Sequence, residues 1–233
     1  MSALVARLLS FRQELAIEIQ KFILLWRYQY HVPPFTLWWR LTLKRIVDLV
    51  ASGVGLIVTG PLMAMIAVIV KLDSKGPALY AQERVGRFGE RFSIYKFRTM
   101  FVNAEANGPV WSAGKQDPRM TRVGRILRRT HLDELPQLFN VFKGEMSLVG
   151  PRPERPPFVS ELQQAISSYD ERLFIKPGMT GLAQVHYRYD QSLADVRRKL
   201  RFDLLYVKRM CLALDVRILI WTMVVVITGR GIR

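Results

Sequence analysis

The 233-residue chain carries 35 Lys and Arg against 19 Asp and Glu, a formal charge of +16, yet half of its residues are hydrophobic. Charge alone would suit a nucleic-acid binder, but a long uncharged apolar run argues against nucleic acid and for an anionic membrane surface, where each nearby Lys or Arg contributes about 1 kcal/mol. The length suits one domain of ordinary size or a domain plus an appendage, and the single cysteine, Cys211, excludes an intramolecular disulfide and fits a reducing compartment.

At the N-terminus Leu8, Phe11, Leu15, Ile19, Phe22 and Trp26 recur at helical spacing, with Arg7, Arg12, Glu14, Glu18 and Lys21 elsewhere. Such a helix packs on its own domain, on a partner (a second copy would give a homodimer) or on a membrane. Those charges also break up the apolar residues, so no secretory signal is evident. His31 to Pro34 ends the helix, and Trp38-Trp39-Arg40 leads into the next segment as interfacial residues do.

Leu49 to Val70 is uncharged and apolar. As a straight helix it would reach roughly 33 Å, enough for a bilayer core of about 30 Å. Gly60-Pro61 interrupts the run near its middle, where proline kinks or breaks a helix. Lys44 and Arg45 precede it and Lys71 and Lys75 follow, so the positive-inside rule cannot orient it. A re-entrant hairpin returning to one face accommodates both observations. A simple span is the alternative, and a buried core helix is disfavoured because no polar face exists.

From Gly76 the pattern becomes strand-like, which places a soluble part over 76–233, after an extension over 1–40 and a membrane region over 41–75. In Phe92 to Thr99 a period of two puts Lys96 and Arg98 on one face, suited to an anionic ligand or to an exposed edge strand. Asn103 to Asp117 reads as loop, Asp133 to Phe142 and Glu161 to Tyr169 as helices, and Leu182 to Val185 as a short strand. Ser192-Leu-Ala-Asp195 resembles a capping box. The stripe after it (Leu193, Val196, Leu200, Leu204, Val207) fits an interfacial helix or a surface helix of a basic protein. Ile218 to Ile227 is apolar but too short to span, and suits the interface.

The densest chemistry surrounds Asp133 and Glu134. Arg122, Arg125, Arg128 and Arg129 precede them, and Gly150-Pro151-Arg152-Pro153 follows. Pro136 is tolerated only in the first turn of a helix, so the acids belong near a helix N-terminus, which favours anions. A simple cap with a solvated basic face explains an isolated Asp-Glu-x-Pro. Two carboxylates among cations at a helix end suggest a site for metal and phosphate. His31, His131 and His186 are too scattered for a zinc site, and no P-loop or dinucleotide fingerprint occurs.

The segments Lys44-Arg-Ile-Val-Asp48, Gln82-Glu-Arg-Val-Gly86, Tyr95-Lys-Phe-Arg-Thr-Met100, Asp117-Pro-Arg-Met-Thr-Arg-Val-Gly124, Leu132-Asp-Glu-Leu-Pro-Gln-Leu138, Gly144 to Pro153 and Lys176-Pro-Gly-Met-Thr-Gly181 stand in that order. From about Lys44 onward the chain resembles the monotopic polyprenol-phosphate phosphoglycosyl transferases, the bacterial sugar transferases. The resemblance implies a mainly helical α+β fold, with a re-entrant helix kinked at Gly60-Pro61 and interfacial helices around a small catalytic domain with short strands. It implies transfer of a phosphosugar from a UDP-sugar to undecaprenyl phosphate, at the cytoplasmic face of a bacterial inner membrane, as the first step of surface-glycan assembly. Asp133 would be the nucleophile, Glu134 the Mg²⁺ ligand and Arg152 a nucleotide contact, with Lys96, Arg98, Arg128 and Arg188 as further phosphate contacts. Two positions depart from the family pattern: Gly60 replaces a frequent serine, and His186-Tyr187-Arg188 replaces Asn-Gly-Arg. Only about 40 residues precede the match, so the chain looks like the compact form with an added helix. A non-catalytic scaffold binding anionic lipid is the competing reading.

Overall fold

Helices dominate the computed structural model, which describes residues 2–29, 32–104, 117–187 and 193–228, with side chains omitted at 2–13, 15 and 227. Helix α1 (Ser2–Tyr28) leads into α2 (Pro34–Asp73), whose first residue is one of the two prolines that end α1. Proline fits a first helical turn because its missing N–H has no partner there anyway. The boundary expected at 40/41 therefore falls inside one helix. At Gly60-Pro61, where the sequence predicts a kink or a break, the helix is not interrupted, and Pro61 lies in its interior. Thr59 donates its hydroxyl to the Gly55 carbonyl at 2.7 Å.

Strands β1 (Leu79–Val85) and β2 (Arg91–Phe97) form an antiparallel hairpin in which Tyr80 faces Lys96. Its turn uses left-handed Phe88 and Gly89. Helix α3 (Arg122–Thr130) starts on the Thr121 hydroxyl, which accepts from Gly124 N. After it come α4 (Gln137–Lys143), β3 (Ser147–Val149) and α5 (Pro156–Ala165). The last elements are β4 (Gly178–Thr180), α6 (Leu182–His186), α7 (Leu193–Arg209) and α8 (Leu212–Thr228).

Two sequence expectations shift here. Leu182–Val185 is helix, and the strand lies just before it, where Gly178 and Thr180 pair in parallel with Ser147 and Val149. Glycine permits that pairing, since a Cβ on Gly178 would lie 2.1 Å from Gly150 N. The helix read as Glu161–Tyr169 begins at Pro156 and stops at Ala165, with Tyr169–Phe174 forming a 3-10 turn. The loop core at 105–116 and Ser192 lie outside the described residues.

The main core joins the ends of the chain. Leu25 and Val32 near the end of α1 and Leu37 of α2 pack with Tyr206 and Val207 of α7, Met210 in the link after it and Ile218 of α8. The α7 stripe lies in this interior rather than in a membrane interface: Val207 belongs to the main core, and Leu200 sits in a second cluster with Val85, Val159, Leu162 and Tyr169. Only Leu193 of the stripe is exposed. Helix α2 behaves oppositely. It is long and apolar enough to cross a membrane, and it exposes Val50, Val54, Ile57, Val58, Val68 and Leu72 along its length. Its other face rests on the domain, through Arg45 to the carbonyls of Val141 and Phe142, Asp48 to Leu148 N, and Ile66 and Val70 against Phe97 and Leu127.

Candidate active site

Helix α3 ends at His131, whose left-handed backbone (φ 57°) turns the chain into the 3-10 turn Leu132–Glu134. That turn delivers both acids just ahead of α4, which Pro136 caps. The acids do lie at a helix N-terminus, as the sequence predicts, but the single helix read over Asp133 to Phe142 is divided into this tight turn and α4.

Three elements bring the cations in. Lys96 projects from β2 and donates to Glu134 Oε1 at 2.7 Å, and Arg152, just past β3, donates to the same oxygen at 2.5 Å. Arg128, from the last turn of α3, is oriented by its Nε bond to Thr99 Oγ1 at 3.0 Å. Asn140 of α4 fixes that helix against β2 by accepting from Tyr95 N and donating to Ser93 O. Gly124 lets α3 close on the strand's extension, since a Cβ there would lie 2.1 Å from Thr99 O.

The two carboxylates differ in environment. Asp133 is only 6% exposed. Burial and the neighbouring Glu134 push its carboxyl above the usual range, against the pull of Lys96, Arg128 and Arg152. Burial also acts on Glu134, but Arg152 and Lys96 outweigh it by charge and hydrogen bonding, holding that carboxyl well below the usual range. Burial lowers the Lys96 ammonium, while the charge of Glu134 raises Arg152 further. Glu134 is thus a committed counter-ion. Asp133 is a comparatively basic carboxylate among three cations, the state that favours a nucleophile.

Of the residues read from sequence, Asp133, Glu134, Lys96, Arg128 and Arg152 come together here. Arg98 does not, although its N–H still donates to Ala78 O at the end of the hairpin. Buried Arg98 instead donates to the carbonyls of Val70 and Ser74 and closes the C-terminus of α2, where helix carbonyls need donors. Arg188 lies outside the described residues. Gly60 and Pro61 lie within α2, just before Leu62 and Met63, which join the apolar cluster that includes Leu132 and Leu135 on either side of the acids. Among the described residues no group of three or more His, Cys, Asp or Glu side chains could hold a metal. A single carboxylate donor, Glu134, fits Mg²⁺ that shares its shell with substrate phosphates rather than a protein-only cage.

Sequence reading missed the supports. Arg172 donates to the Arg152 carbonyl and to Asp203, and Arg84 donates to the Pro153 carbonyl. One signal was available: Asp203 interrupts the apolar stripe of α7 between Leu200 and Val207, where a charge needs a buried partner.

The chain is 43% identical over 191 residues to a UDP-N-acetylgalactosamine-undecaprenyl-phosphate N-acetylgalactosaminephosphotransferase of Aeromonas hydrophila, covering 82% of this chain and 45% of that protein. It is 46% identical over 204 residues to an undecaprenyl-phosphate galactose phosphotransferase of Salmonella typhimurium, covering 81% and 41%. It is 41% identical over 183 residues to a UDP-glucose:undecaprenyl-phosphate glucose-1-phosphate transferase of Xanthomonas campestris, covering 78% and 38%. The chain spans less than half the length of each of these three relatives. The bacterial sugar transferase model matches residues 39–229, and the chain belongs to that family.

Proposed function

We propose that this chain transfers a phosphosugar from a UDP-sugar to undecaprenyl phosphate, yielding undecaprenyl-diphosphate-sugar and UMP. The observation that carries the reading is the split between the acids, with Glu134 neutralised by Lys96 and Arg152 while Asp133 remains a buried carboxylate of raised basicity. An Asp133 oxygen attacks the β-phosphorus, forming a P–O bond as the bond to UMP breaks, and UMP leaves with the bridging oxygen and its electron pair. An oxygen of undecaprenyl phosphate then attacks the same phosphorus, and Asp133 leaves as carboxylate. Lys96, Arg128 and Arg152 bind and orient the diphosphate and its developing charge. Both cations bond Glu134 Oε1, and Oε2 is the oxygen with which Glu134 would hold Mg²⁺. When bound, that ion supplies charge neutralisation at the diphosphate.

A lipid phosphate and a soluble nucleotide sugar meet only at a membrane surface. The exposed apolar face of α2 suits that location, and the packing of α2 bears on topology. Its flanks at Arg45–Asp48 and Ile66–Asp73 both rest on the catalytic domain. Two flanks resting on one domain support a placement with both on the same side of a bilayer core about 30 Å thick. We therefore place α2 as a monotopic element, entering from the cytoplasmic face and keeping both flanks there.

UMP release by the detergent-purified chain, given UDP-sugars, undecaprenyl phosphate and Mg²⁺, tests the reaction, and a panel of UDP-sugars identifies the sugar. Intact-mass analysis without acceptor should show one phosphosugar added to wild type and none to Asp133→Asn. Wild-type-like turnover by that variant would sink the covalent step. Cysteines introduced at the exposed positions 43 and 75 should label from the same membrane face, and opposite labelling overturns the monotopic placement.

A further inference from the structure

The segment that bears Arg152 is held carbonyl by carbonyl. Val149 O accepts from Tyr206 Oη at 3.1 Å, Pro151 O from Gly178 N at 2.9 Å, and Arg152 O from Arg172 Nη2 at 2.8 Å. Pro153 O accepts from Arg84 Nη1 at 3.0 Å and Glu154 O from Val85 N at 3.0 Å. Prolines on both sides of Arg152 have fixed φ, and Pro153 also restricts Arg152 to extended backbone. What remains adjustable is the tilt of the Arg152 peptide, and one side chain grips that peptide.

Arg172 is 4% exposed and donates in three directions. Nε and Nη2 reach Asp203 Oδ2 at 3.0 and 2.9 Å, Nη1 reaches Tyr169 Oη at 2.9 Å, and Nη2 also reaches the Arg152 carbonyl. Asp203 is 3% exposed, so the pair is removed from water. Buried ion pairs of this kind contribute little net stability relative to well-packed apolar residues of similar volume. A planar fork with donors on three sides does what no apolar residue can, which is to fix the direction of a distant carbonyl. A continuous chain then runs from Asp203 through Arg172 to the Arg152 backbone, and from the Arg152 guanidinium to Glu134.

We propose that Arg172, held by Asp203 and Tyr169, is a positioning residue that aims the Arg152 guanidinium at the donor's diphosphate. The proposal rests on the assignment of Arg152 to the donor given above. The role is distinct from structural support alone, because what Arg172 controls is the placement of one ligand-binding side chain.

The test uses the full chain in detergent or nanodiscs, reading UMP release against UDP-sugar concentration beside the melting temperature. In the double variant Arg172→Met/Asp203→Leu the ion pair is replaced by apolar volume. Its melting temperature should stay near that of wild type, while the donor KM rises about tenfold or more and the KM for undecaprenyl phosphate stays put. Arg172→Lys keeps the charge opposite Asp203 but cannot serve three partners, so its donor KM should also rise. Wild-type donor KM in a folded double variant reduces the pair to structural support and overturns the proposal. If the double variant fails to fold, Arg172→Lys decides: wild-type donor KM overturns the proposal, and a raised KM at near-native melting temperature supports it. Arg152→Ala run alongside separates the two readings. Unchanged donor KM in that variant overturns the role of Arg152 and this proposal with it, whereas raised KM there with wild-type KM in Arg172→Lys overturns the positioning alone.

Discussion

Two buried charge clusters lie at either end of Arg152 and are built on different terms. At its backbone, Arg172 and Asp203 pair one to one, with Tyr169 and a carbonyl taking the remaining donors. At its side chain, Lys96, Arg128 and Arg152 act on two carboxylates, of which only Glu134 is ion-paired to Lys96 and Arg152. The first cluster is closed and suits a support. The second has cations to spare and a carboxylate whose affinity for its proton is raised, and it becomes balanced when an anionic diphosphate enters. Burial alone does not separate a binding site from a scaffold; the match between donors and acceptors does.

That contrast can be broken by substitution, beginning with the largest effect. Asp133→Asn should lower turnover about 10³-fold or more. The same change should raise the melting temperature, because Asp133 is ionised in the fold at a cost that amide replacement removes. A variant that loses activity and also melts lower would place Asp133 in the closed class. Glu134→Gln should do the reverse for stability, leaving Lys96 and Arg152 without their shared anion at a cost of about 3 kcal/mol, read by thermal melting.

Acidity separates the acids without mutation. The raised Asp133 pKa predicts that kcat/KM falls with decreasing pH through a point above the ordinary 3.8, as the nucleophile becomes protonated. Glu134 titrates below its ordinary 4.5, so its stabilising contribution is full above that value and is lost only as pH falls through its lower folded-state pKa. Activity should therefore fail at a higher pH than the Glu134-dependent part of the melting temperature, and coincident midpoints would contradict the split. Smaller still is Lys44→Met, which strips buried Asp215 of its ion pair while Tyr206 still donates to it. We expect a loss of about 2 kcal/mol with little change in donor KM, since this closed cluster binds no substrate.

The sequence by itself singled out the acids and the apolar run, because each rests on local order: adjacent carboxylates with Pro136 setting a helix start, and an uncharged stretch; strand alternation paired Lys96 with Arg98, and the roles of Arg128 and Arg152 came with the family resemblance. It also determined the family, since the order of short segments survives without coordinates. Only the tertiary structure decided that Arg98 closes α2 while Lys96, two residues earlier, reaches Glu134, because the acceptors for each lie on other elements, the α2 C-terminus and the acid-bearing turn. Likewise it buried the α7 stripe and left α2 exposed. Helix α7 carries an apolar stripe among charges and α2 has an uncharged apolar run, and either pattern states that apolar surface must be covered without saying by what. Arg172 shows the same limit, since its partners at Asp203 and Arg152 are 31 and 20 residues away. A buried ion pair is a property of the space between elements, and no spacing along the chain encodes it.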